Sequence, residues 1–467
     1  MTRRTHAVVL GGSVAGMLAA AALARHLDAV TVVERDVLPG GPDHRRGLPQ
    51  ARHAHLLWSG GARVIDKLLP GTMERLYRAG ARKISMYQDM VSLTSHGWQH
   101  RFPTEHFMIA CSRPLLDWTV RDQVGAGGSV TVLGGTEATA LLGDAERVRG
   151  VRLRGTAEGT VTDLEADLVV DATGRGSPLR RWLAGLGLPE VPEEVVDSGI
   201  AYATRIFRAP AEPFPVVSHY ADHRTGRPGH NVVLLPIEDG QWIVTVSGTR
   251  GGEPPAGEEG FAEFVRAARH PLVSEFLAGA DPLTEVRGTR STSNRRLRYE
   301  GLNRWPDGLA VLGDALVAFN PVYGHGMGAA ALSAAALGEE ISRDGVGGGA
   351  ARRAQKSIGA VVDGPWSLAV SQDIFYPGCR VDVADARWIA VLRRQRAFAD
   401  LVTETAIRDP RVGAAVAGVT SLSAPLNSLE HPDVIAALRR GPTRPPLSRP
   451  QLTPAELAVR GTVRTAR

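Results

Sequence analysis

A glycine-containing turn near the start of the chain has the residue types and spacing that let a backbone approach a phosphate. The pattern Gly11-x-Ser13-x-x-Gly16 follows an apolar run, His6 to Leu10, and precedes a stretch rich in Ala and Leu, Met17 to His26. A turn of this kind between a strand and a helix places the N-terminus of the helix against a pyrophosphate. Ser13 stands where the usual pattern has a middle glycine, so the match is weaker than a complete one.

A carboxylate follows at the distance that nucleotide binding requires. Glu34 ends the next apolar run, Val30 to Glu34, and a carboxylate at the end of this strand can accept hydrogen bonds from a ribose. A tight turn that binds no ligand is the structural alternative, and a lone motif would not decide between the two. The two runs with the helix between them predict a parallel β-α-β unit.

A third segment, Leu309 to Ala331, indicates which nucleotide ligand is bound. A buried strand ends at Gly313-Asp314, and a loop rich in Pro and Gly leads into a helix of small residues. Asp314 can bind a ribityl hydroxyl, and amides around Gly324, Gly326 and Met327 can meet the electron-rich edge of a flavin. Asp314 could otherwise cap a helix, but the glycines after it favour close approach of the backbone to a ligand. Together the three segments predict FAD.

The order of apolar runs predicts an α/β fold with a parallel FAD-binding sheet, an antiparallel substrate-side sheet and a helical C-terminal part. The runs 201–207, 231–235 and 242–247 suggest the antiparallel sheet. We expect an FAD-binding domain in two pieces, 1–195 and 301–345, because the nucleotide-type pattern returns late. Residues 196–300 are assigned to the substrate-binding sheet, and residues 346–467 to a helical region with a Pro-rich tail.

Composition limits the other classes of function. The net charge is +5, but the basic residues are dispersed, so we expect no nucleic-acid partner. No apolar run is long enough to span a bilayer, and the first residues do not resemble a secretion signal, so we expect a cytoplasmic protein without a membrane anchor. The two cysteines are far apart, and no cluster resembles a metal site or a hydrolytic triad. The chemistry is therefore expected to come from the cofactor.

Longer stretches of the chain resemble one group of flavoenzymes. The three nucleotide segments, in their order, resemble the FAD-dependent monooxygenases of the aromatic-hydroxylase fold. Further stretches resemble the polyene epoxidases of polyether-ionophore biosynthesis, as in the lasalocid and monensin pathways; they are residues 47–61, 97–103, 108–113, 221–224, 236–252 and 376–380.

The resemblance implies that Arg46 and Arg113 help to hold the ADP half of FAD, and that Pro321 faces the isoalloxazine. The residues expected to contact FAD are Gly11, Ser13, Val14, Ala15, Gly16, Glu34, Arg35, Arg46, Arg113, Ala138, Gly174, Gly313, Asp314, Pro321, Gly324, Gly326 and Met327. The family has an Asp-Gly pair that touches both FAD and the nicotinamide cofactor, and here Thr173-Gly174 occupies that place. The electron donor is thus either NAD(P)H acting directly or a separate flavin reductase as partner.

The resemblance implies epoxidation of alkenes in a linear polyketide polyene, with one oxygen atom of O2 transferred through a C4a-hydroperoxyflavin and no catalytic side chain. A carrier protein that presents the polyene is a further candidate partner. A hydroxylase of an aromatic or other apolar intermediate, a halogenase, a prenyl-type flavin reductase and a flavin-binding protein without catalysis are the alternatives. No Trp-x-Trp-x-Ile-Pro signature of a halogenase is present. The residues predicted at the substrate pocket are Trp58, Phe207, Phe319 and Trp366, although core packing explains each of them equally well.

Overall fold

The computed structural model describes residues 4–209, 216–290 and 292–465, with side chains described up to residue 459. The first three residues, on which part of the secretion-signal prediction rests, lie outside the described ranges. The predicted α/β fold, with a parallel sheet, an antiparallel sheet and a helical C-terminal part, is confirmed.

The parallel sheet is built from apolar runs, and its inner strands are buried on both faces whereas the edge strand Val130–Leu133 is partly exposed. Its strands, in spatial order, are Leu309–Val311, Leu168–Asp171, His6–Leu10, Ala29–Val33 and Val130–Leu133, and each neighbouring pair is parallel. The helices Val14–Leu23, Arg113–Ala126 and Gly326–Asp344 pack around this sheet. Because the strands are parallel, Gly11, Glu34, Asp171 and Gly313 all follow carboxyl ends of strands at one edge, which is where such sheets bind ligands.

A second, mostly antiparallel sheet stands beside the nucleotide-type unit. Its strands are Asp281–Pro282, Ala201–Arg208, Gln241–Gly248, His230–Ile237, Val216–His219, Met90–Thr94 and Gly97–Trp98, with Arg287–Thr289 pairing beside Ala201–Arg208. The helices Gly257–Arg266 and Leu272–Leu277 contribute Phe261, Phe264 and Phe276 to the core on one face of this sheet. Two of the strands, Met90–Thr94 and Gly97–Trp98, belong to the range 1–195. The substrate-side sheet is therefore not confined to residues 196–300.

Three smaller sheets complete the described part of the chain. The first has the strands Thr136–Gly143, Val148–Gly155 and Val161–Glu165. The second has four strands, Glu193–Asp197, Asn294–Leu297, Val317–Ala318 and Arg380–Asp382. The third has Leu57–Trp58, Arg82–Ser85 and Phe107–Ala110. The four-stranded sheet includes one strand from the C-terminal region, so that region is anchored to the strands on either side of the substrate-side sheet segment.

The remaining helices lie mainly in the C-terminal region, as expected. The α-helices not yet named are Ser59–Leu68, Thr72–Arg78, Leu179–Gly185, Ala350–Val361, Asp363–Asp373, Ala386–Arg394, Arg396–Ala406, Pro410–Thr420, Pro432–Arg440 and Pro454–Thr465. The Pro-rich tail is thus followed by a helix. Among the described helices, none is both long enough and apolar enough to cross a bilayer.

Candidate active site

The turn after the first strand requires glycine at two positions. Gly11 has φ +99°, and a Cβ placed on it would stand 2.6 Å from the carbonyl oxygen of Ala172. A Cβ on Gly16 would stand 1.8 Å from the carbonyl oxygen of Gly11, well inside van der Waals contact. The first helix consequently starts directly against the strand, and the backbone of the turn is open to a ligand at the helix N-terminus.

The carboxylate of Glu34 is buried at the mouth of this turn. Its Oε2 accepts a hydrogen bond from the backbone N–H of Gly12 at 2.7 Å, and its Oε1 accepts one from Asp36 at 3.0 Å. Arg45 Nη1 lies 2.9 Å from Oε2, and its Nε lies 3.5 Å from Asp117. Burial by itself raises the pKa of Glu34, but Arg45 and the backbone donors outweigh it and lower that pKa. Glu34 is therefore held as an anion.

Asp314 and Arg113 face each other across the cleft that follows the turn. Arg113 Nη2 donates to Ser13 Oγ at 3.2 Å, whereas its buried Nε has no hydrogen-bond partner among the described residues. The carboxylate of Asp314 makes no hydrogen bond to any described residue, and burial raises its pKa although Arg175 and Arg113 oppose this. A Cβ on Gly313 would stand 2.9 Å from Cβ of Ala15, so the two nucleotide segments are in contact. Buried donors and acceptors without partners suit the pyrophosphate and ribityl groups of FAD.

We predict that Asp314→Ala weakens FAD binding by ~1–3 kcal/mol, or roughly 5–150-fold, because a buried acceptor for a ribityl hydroxyl is lost. Fluorescence titration of the apoprotein with FAD measures the change. Asp144→Ala is a suitable control, since Asp144 is exposed and its carboxylate binds the backbone N–H groups of Glu146 and Arg147. Equal affinity of the parent and Asp314→Ala would contradict the placement of this segment.

The loop expected to face the isoalloxazine is fixed from two sides. Trp58 Nε1 donates to the carbonyl oxygen of Tyr323 at 3.0 Å, and Gly324 has φ +66°. A Cβ on Gly324 would stand 2.8 Å from both Trp58 Nε1 and Leu56 Cβ. A Cβ on Gly326, by contrast, would have no described atom within 4 Å. Gly326 starts the helix Gly326–Asp344, so it leaves open space at a helix N-terminus.

A buried carboxylate holds the start of the same loop. Asp373 is 1% exposed, and it accepts hydrogen bonds from Asn294 Nδ2 at 2.7 Å, from Asn320 Nδ2 at 3.0 Å and from Tyr323 Oη at 2.5 Å. Tyr202 Oη donates to Asn320 Oδ1 at 2.7 Å. Burial raises the pKa of Asp373 to about 6. Asp373, a side chain from the C-terminal region, thereby links the strand Asn294–Leu297 to the loop, and Tyr202 links the substrate-side sheet to the same loop.

The polar side chains of residues 171–177, where the resemblance leads one to expect an Asp-Gly pair, form hydrogen bonds within the segment. Asp171 Oδ1 accepts from the backbone N–H of Thr173 at 2.9 Å and from its hydroxyl at 2.6 Å, and Ser177 Oγ donates to Asp171 Oδ2 at 2.5 Å. Gly174 has φ +85° and no described atom within 4 Å of a Cβ. The turn is satisfied internally, and Thr173 offers no carboxylate to a nicotinamide cofactor.

A cavity adjoins the loop on the side of the antiparallel sheet. It has about 590 Å³ of empty space, part of it open to solvent. Pro321 and Val322 form one wall, and the inward face of the sheet forms another. The lining residues are Ala54, Leu56, Met90, Met108, Tyr202, Val216, Ser218, His219, Tyr220, Asn231, Val232, Val233, Leu235, Thr245, Ser247, Pro321 and Val322.

The structure brings together most of the residues predicted for FAD, but not all of them. The turn 11–16, Glu34, Arg113, Gly313 and Asp314 meet in one cleft, and Gly324, Gly326 and Met327 lie at the start of the following helix. Arg35 and Arg46 are exposed, and the guanidinium beside Glu34 belongs to Arg45. Ala138 lies on the strand Thr136–Gly143 and Val14 in the core of the first helix.

The four residues predicted for substrate do not belong to the cavity lining among the described residues. Phe207 and Trp366 are buried in core clusters, Phe207 on the face of the sheet that the helices cover. Phe319 is 6% exposed and precedes the loop, and Trp58 supports the loop through Tyr323. Because side chains alternate along a strand, Phe207 points away from the face that carries Tyr202. Core packing thus accounts for Phe207 and Trp366.

Three charged residues of the site were not predicted from the sequence. Arg45 pairs with Glu34, Asp117 with Arg45, and Arg175 donates to the carbonyl oxygens of Ser293 and Phe319 close to Asp314. The Arg45-Arg46 pair was a usable signal, but the sequence alone does not decide which of the two faces the cleft.

Comparisons with known proteins agree with this geometry. A family described as FAD dependent oxidoreductase matches residues 7–185. Protein Rv3254 of Mycobacterium tuberculosis is 35% identical over 350 residues, which cover 72% of both chains. The flavin-dependent brominase Bmp2 shares the fold with a TM-score of 0.69 and 16% identity, over 93% of this chain and 98% of that one. PqsL from Pseudomonas aeruginosa, described as a probable FAD-dependent monooxygenase, has a TM-score of 0.54 and 20% identity, over 80% and 99% of the two chains.

The likeness to the solved structures is a likeness of fold, because their identity to this chain is low. The family match goes further, since residues 7–185 include Gly11, Glu34 and Arg113 of the cleft. The relative from Mycobacterium tuberculosis adds 35% identity over 72% of each chain. The chain therefore belongs to the family of FAD-dependent oxidoreductases.

Proposed function

We propose that the protein is an FAD-dependent epoxidase that acts on alkenes of a linear polyketide polyene. The observation that carries the proposal is the cavity beside Pro321 and Val322, whose described lining contains no Asp, Glu, Lys or Arg. An alkene has no charge and few polar groups, so its binding rests on the burial of apolar surface, which contributes about 25 cal/mol per Å². The resemblance to the polyene epoxidases supports the same substrate class.

Bound FAD, once reduced, supplies the two electrons that activate O2 and transfers one oxygen atom. The chain's own residues provide the setting for this chemistry. Trp58 and Asp373 hold the loop at Tyr323 and Asn320 in place, and Met90, Met108 and Leu235 form an apolar wall that binds water poorly. Asp314 and Arg113 lie where the ribityl and pyrophosphate groups of FAD are expected.

The lining also bears on the hydroxylase alternative. Hydroxylation of a phenol benefits from a group that ionises the substrate. Among the titratable residues of the described lining, burial raises the pKa of Tyr202 and Tyr220 and lowers that of His219 to about 4, so Tyr202 and Tyr220 stay protonated near neutral pH. Transfer of oxygen to an alkene needs no such base, which favours epoxidation.

The experiment that tests the proposal combines the FAD-loaded protein with O2, a linear polyene that has trisubstituted alkenes, and either NADPH alone or NADPH with an independent flavin reductase. We expect mass increments of one or more oxygen atoms with the reductase, and poor direct reduction of FAD by NADPH, because Thr173 replaces the expected carboxylate. Mass spectrometry detects the products, and stopped-flow absorbance measures the reduction.

The same assay distinguishes the alternatives. Turnover without O2 would reveal a reductase, and incorporation of bromide or chloride from added salt would reveal a halogenase. Release of all reducing equivalents as H2O2 in the presence of every polyene tried would refute epoxidation. Fast reduction of bound FAD by NADPH alone would refute the proposed electron supply but leave the epoxidation standing.

A further inference from the structure

The cavity wall changes from polar to apolar in one direction along the antiparallel sheet. The register of the strands sets Asn231 beside Ser247 and Ser247 beside Tyr202, which forms a polar row of residues on the inward face. One inward position further, Ser218 lies beside Val233 and Val233 beside Thr245. This second row therefore contains both polar and apolar side chains.

A third inward row is apolar throughout. Val216 pairs with Met90, and Leu235 pairs with Ile243. Same-face residues are about 7 Å apart along a strand, so the three rows extend over roughly 14 Å. Met108 faces the apolar part from the opposite wall. The cavity is thus amphipathic along its length. The polar row reaches the loop through Tyr202, which donates to Asn320, and the apolar wall reaches it through Leu56, which lies beside Gly324.

The polar row retains hydrogen-bonding capacity that the protein does not use. Asn231 Oδ1 accepts from the backbone N–H of Ala221 at 2.8 Å, and one N–H of its amide points to Ser247 Oγ at 3.3 Å. The second amide N–H of Asn231 and the hydroxyl hydrogen of Ser247 have no described acceptor. In the second row, by contrast, Thr245 is already bonded to Thr204 and to the backbone of Ala54.

We propose that the ligand of this cavity is amphipathic and carries a neutral oxygen acceptor, a carbonyl or an ether, which binds to Ser247 and Asn231. Its hydrocarbon part then extends along Met90, Val216 and Leu235. The proposal rests on the proposed function in that it describes the substrate of the same site. A carboxylate is disfavoured because the described lining contains no cation to pair with it. The oxygen acceptor sets the direction in which the chain enters, and hence which carbons come to lie near the loop.

The test measures binding without turnover. FAD-loaded, oxidised protein is equilibrated with 2-undecanone or with 1-undecene, and free ligand is quantified by gas chromatography after dialysis. Ser247→Ala should weaken binding of the ketone about fivefold to tenfold, the value of one lost hydrogen bond. The same variant should leave binding of the alkene unchanged, because the alkene has no oxygen to bind.

Ser92→Ala is the matched control. Ser92 lies on the same face of the sheet, its hydroxyl is buried and has no described partner, and it is outside the described lining of the cavity. It should bind both ligands like the parent. Equal weakening of ketone and alkene by Ser247→Ala, or an unchanged affinity for the ketone, would overturn the proposal. Selective weakening in a protein that oxygenates no polyene would leave the proposal intact and reject the epoxidase instead.

Discussion

Gly16→Ala is expected to destabilise the folded protein by at least ~3 kcal/mol and to abolish FAD binding. The added Cβ would stand 1.8 Å from the carbonyl oxygen of Gly11 and 3.4 Å from Val9 Cγ1. The first of these is a backbone atom in the tightest part of the sheet, so relief requires the helix Val14–Leu23 to move away from the first strand. Changes that force a buried helix to shift are among the most destabilising single substitutions. Urea denaturation of the apoprotein measures the loss.

Gly326→Ala is the control that separates the fold from the cofactor. A Cβ at this position has no described atom within 4 Å, and Ala is a better helix former than Gly. The apoprotein should keep its stability or gain up to ~1 kcal/mol. FAD affinity should nevertheless fall roughly 5-fold or more, because the methyl group enters space assigned to the flavin. Undiminished FAD affinity in Gly326→Ala would show that the flavin does not lie against this helix start.

The second large effect is a loss of folding stability at low pH. Four buried histidines are held neutral by desolvation, which lowers the pKa of His53, His219 and His325 to about 4 and that of His55 to about 3. Unfolded histidine has a pKa near 6.5, so between about pH 6.5 and 4 the unfolded chain binds protons that the folded chain does not. Their stabilising contribution is therefore complete above pH 6.5 and is lost as the pH falls towards 4.

The size of this loss is sufficient to unfold a typical domain. A shift of about 2.5 pH units corresponds to roughly 3 kcal/mol for each histidine, and the four together approach the ~5–15 kcal/mol stability of most proteins. Asp373 acts in the opposite direction, since its raised pKa gives the folded state an extra proton below about pH 6. The raised pKa values of Asp171 and Asp314 act in the same direction as that of Asp373, so these carboxyls offset part of the loss from the four imidazoles. We expect the apoprotein to unfold between pH 4 and 5, as followed by circular dichroism.

His219→Phe provides the variant for this prediction. Both ring nitrogens of His219 are buried without a hydrogen-bond partner, and the ring contacts Trp98 edge to face, so Phe keeps the packing and removes the titration. The unfolding midpoint should move to lower pH in this variant and stay in place in His26→Gln, where the histidine is exposed. A midpoint that both variants share with the parent would mean that other groups control acid unfolding.

The parallel sheet could be predicted because strands buried on both faces read as continuous apolar runs, and the positions of Glu34 and Asp314 follow from the ends of those runs. The choice between Arg45 and Arg46 could not be predicted. The two are adjacent in a loop without periodicity, and only the path of the backbone sends Arg45 to Glu34.

The four aromatic residues predicted for substrate lie outside the described lining of the cavity for a different reason. The alternation of the strand 201–208 separates Tyr202 from Phe207, but the sequence does not say which face the helices Gly257–Arg266 and Leu272–Leu277 will cover. Phe207 was predicted at the pocket because it is large and aromatic. The polar residues that do line the cavity, such as Asn231 and Ser247, have no feature in the sequence that marks them. Asp373 is likewise a single Asp in a helix, and its partners Asn294 and Asn320 come from distant segments.

The contacts of the loop also determine when, during synthesis, the cofactor can be captured. His325 bonds through Nε2 to the carbonyl oxygen of Thr420 at 3.2 Å, and the backbone N–H of Gly60 bonds to Ser421 at 3.0 Å. Leu422 packs against Gly328 at the start of the flavin-side helix. A nascent chain on the ribosome can thus form the phosphate turn early, but it cannot complete the isoalloxazine side until residue 422 has emerged. We therefore expect flavin incorporation to be a late event, and we expect truncation before residue 422 to yield a chain that retains the phosphate turn but lacks a complete pocket for the flavin ring.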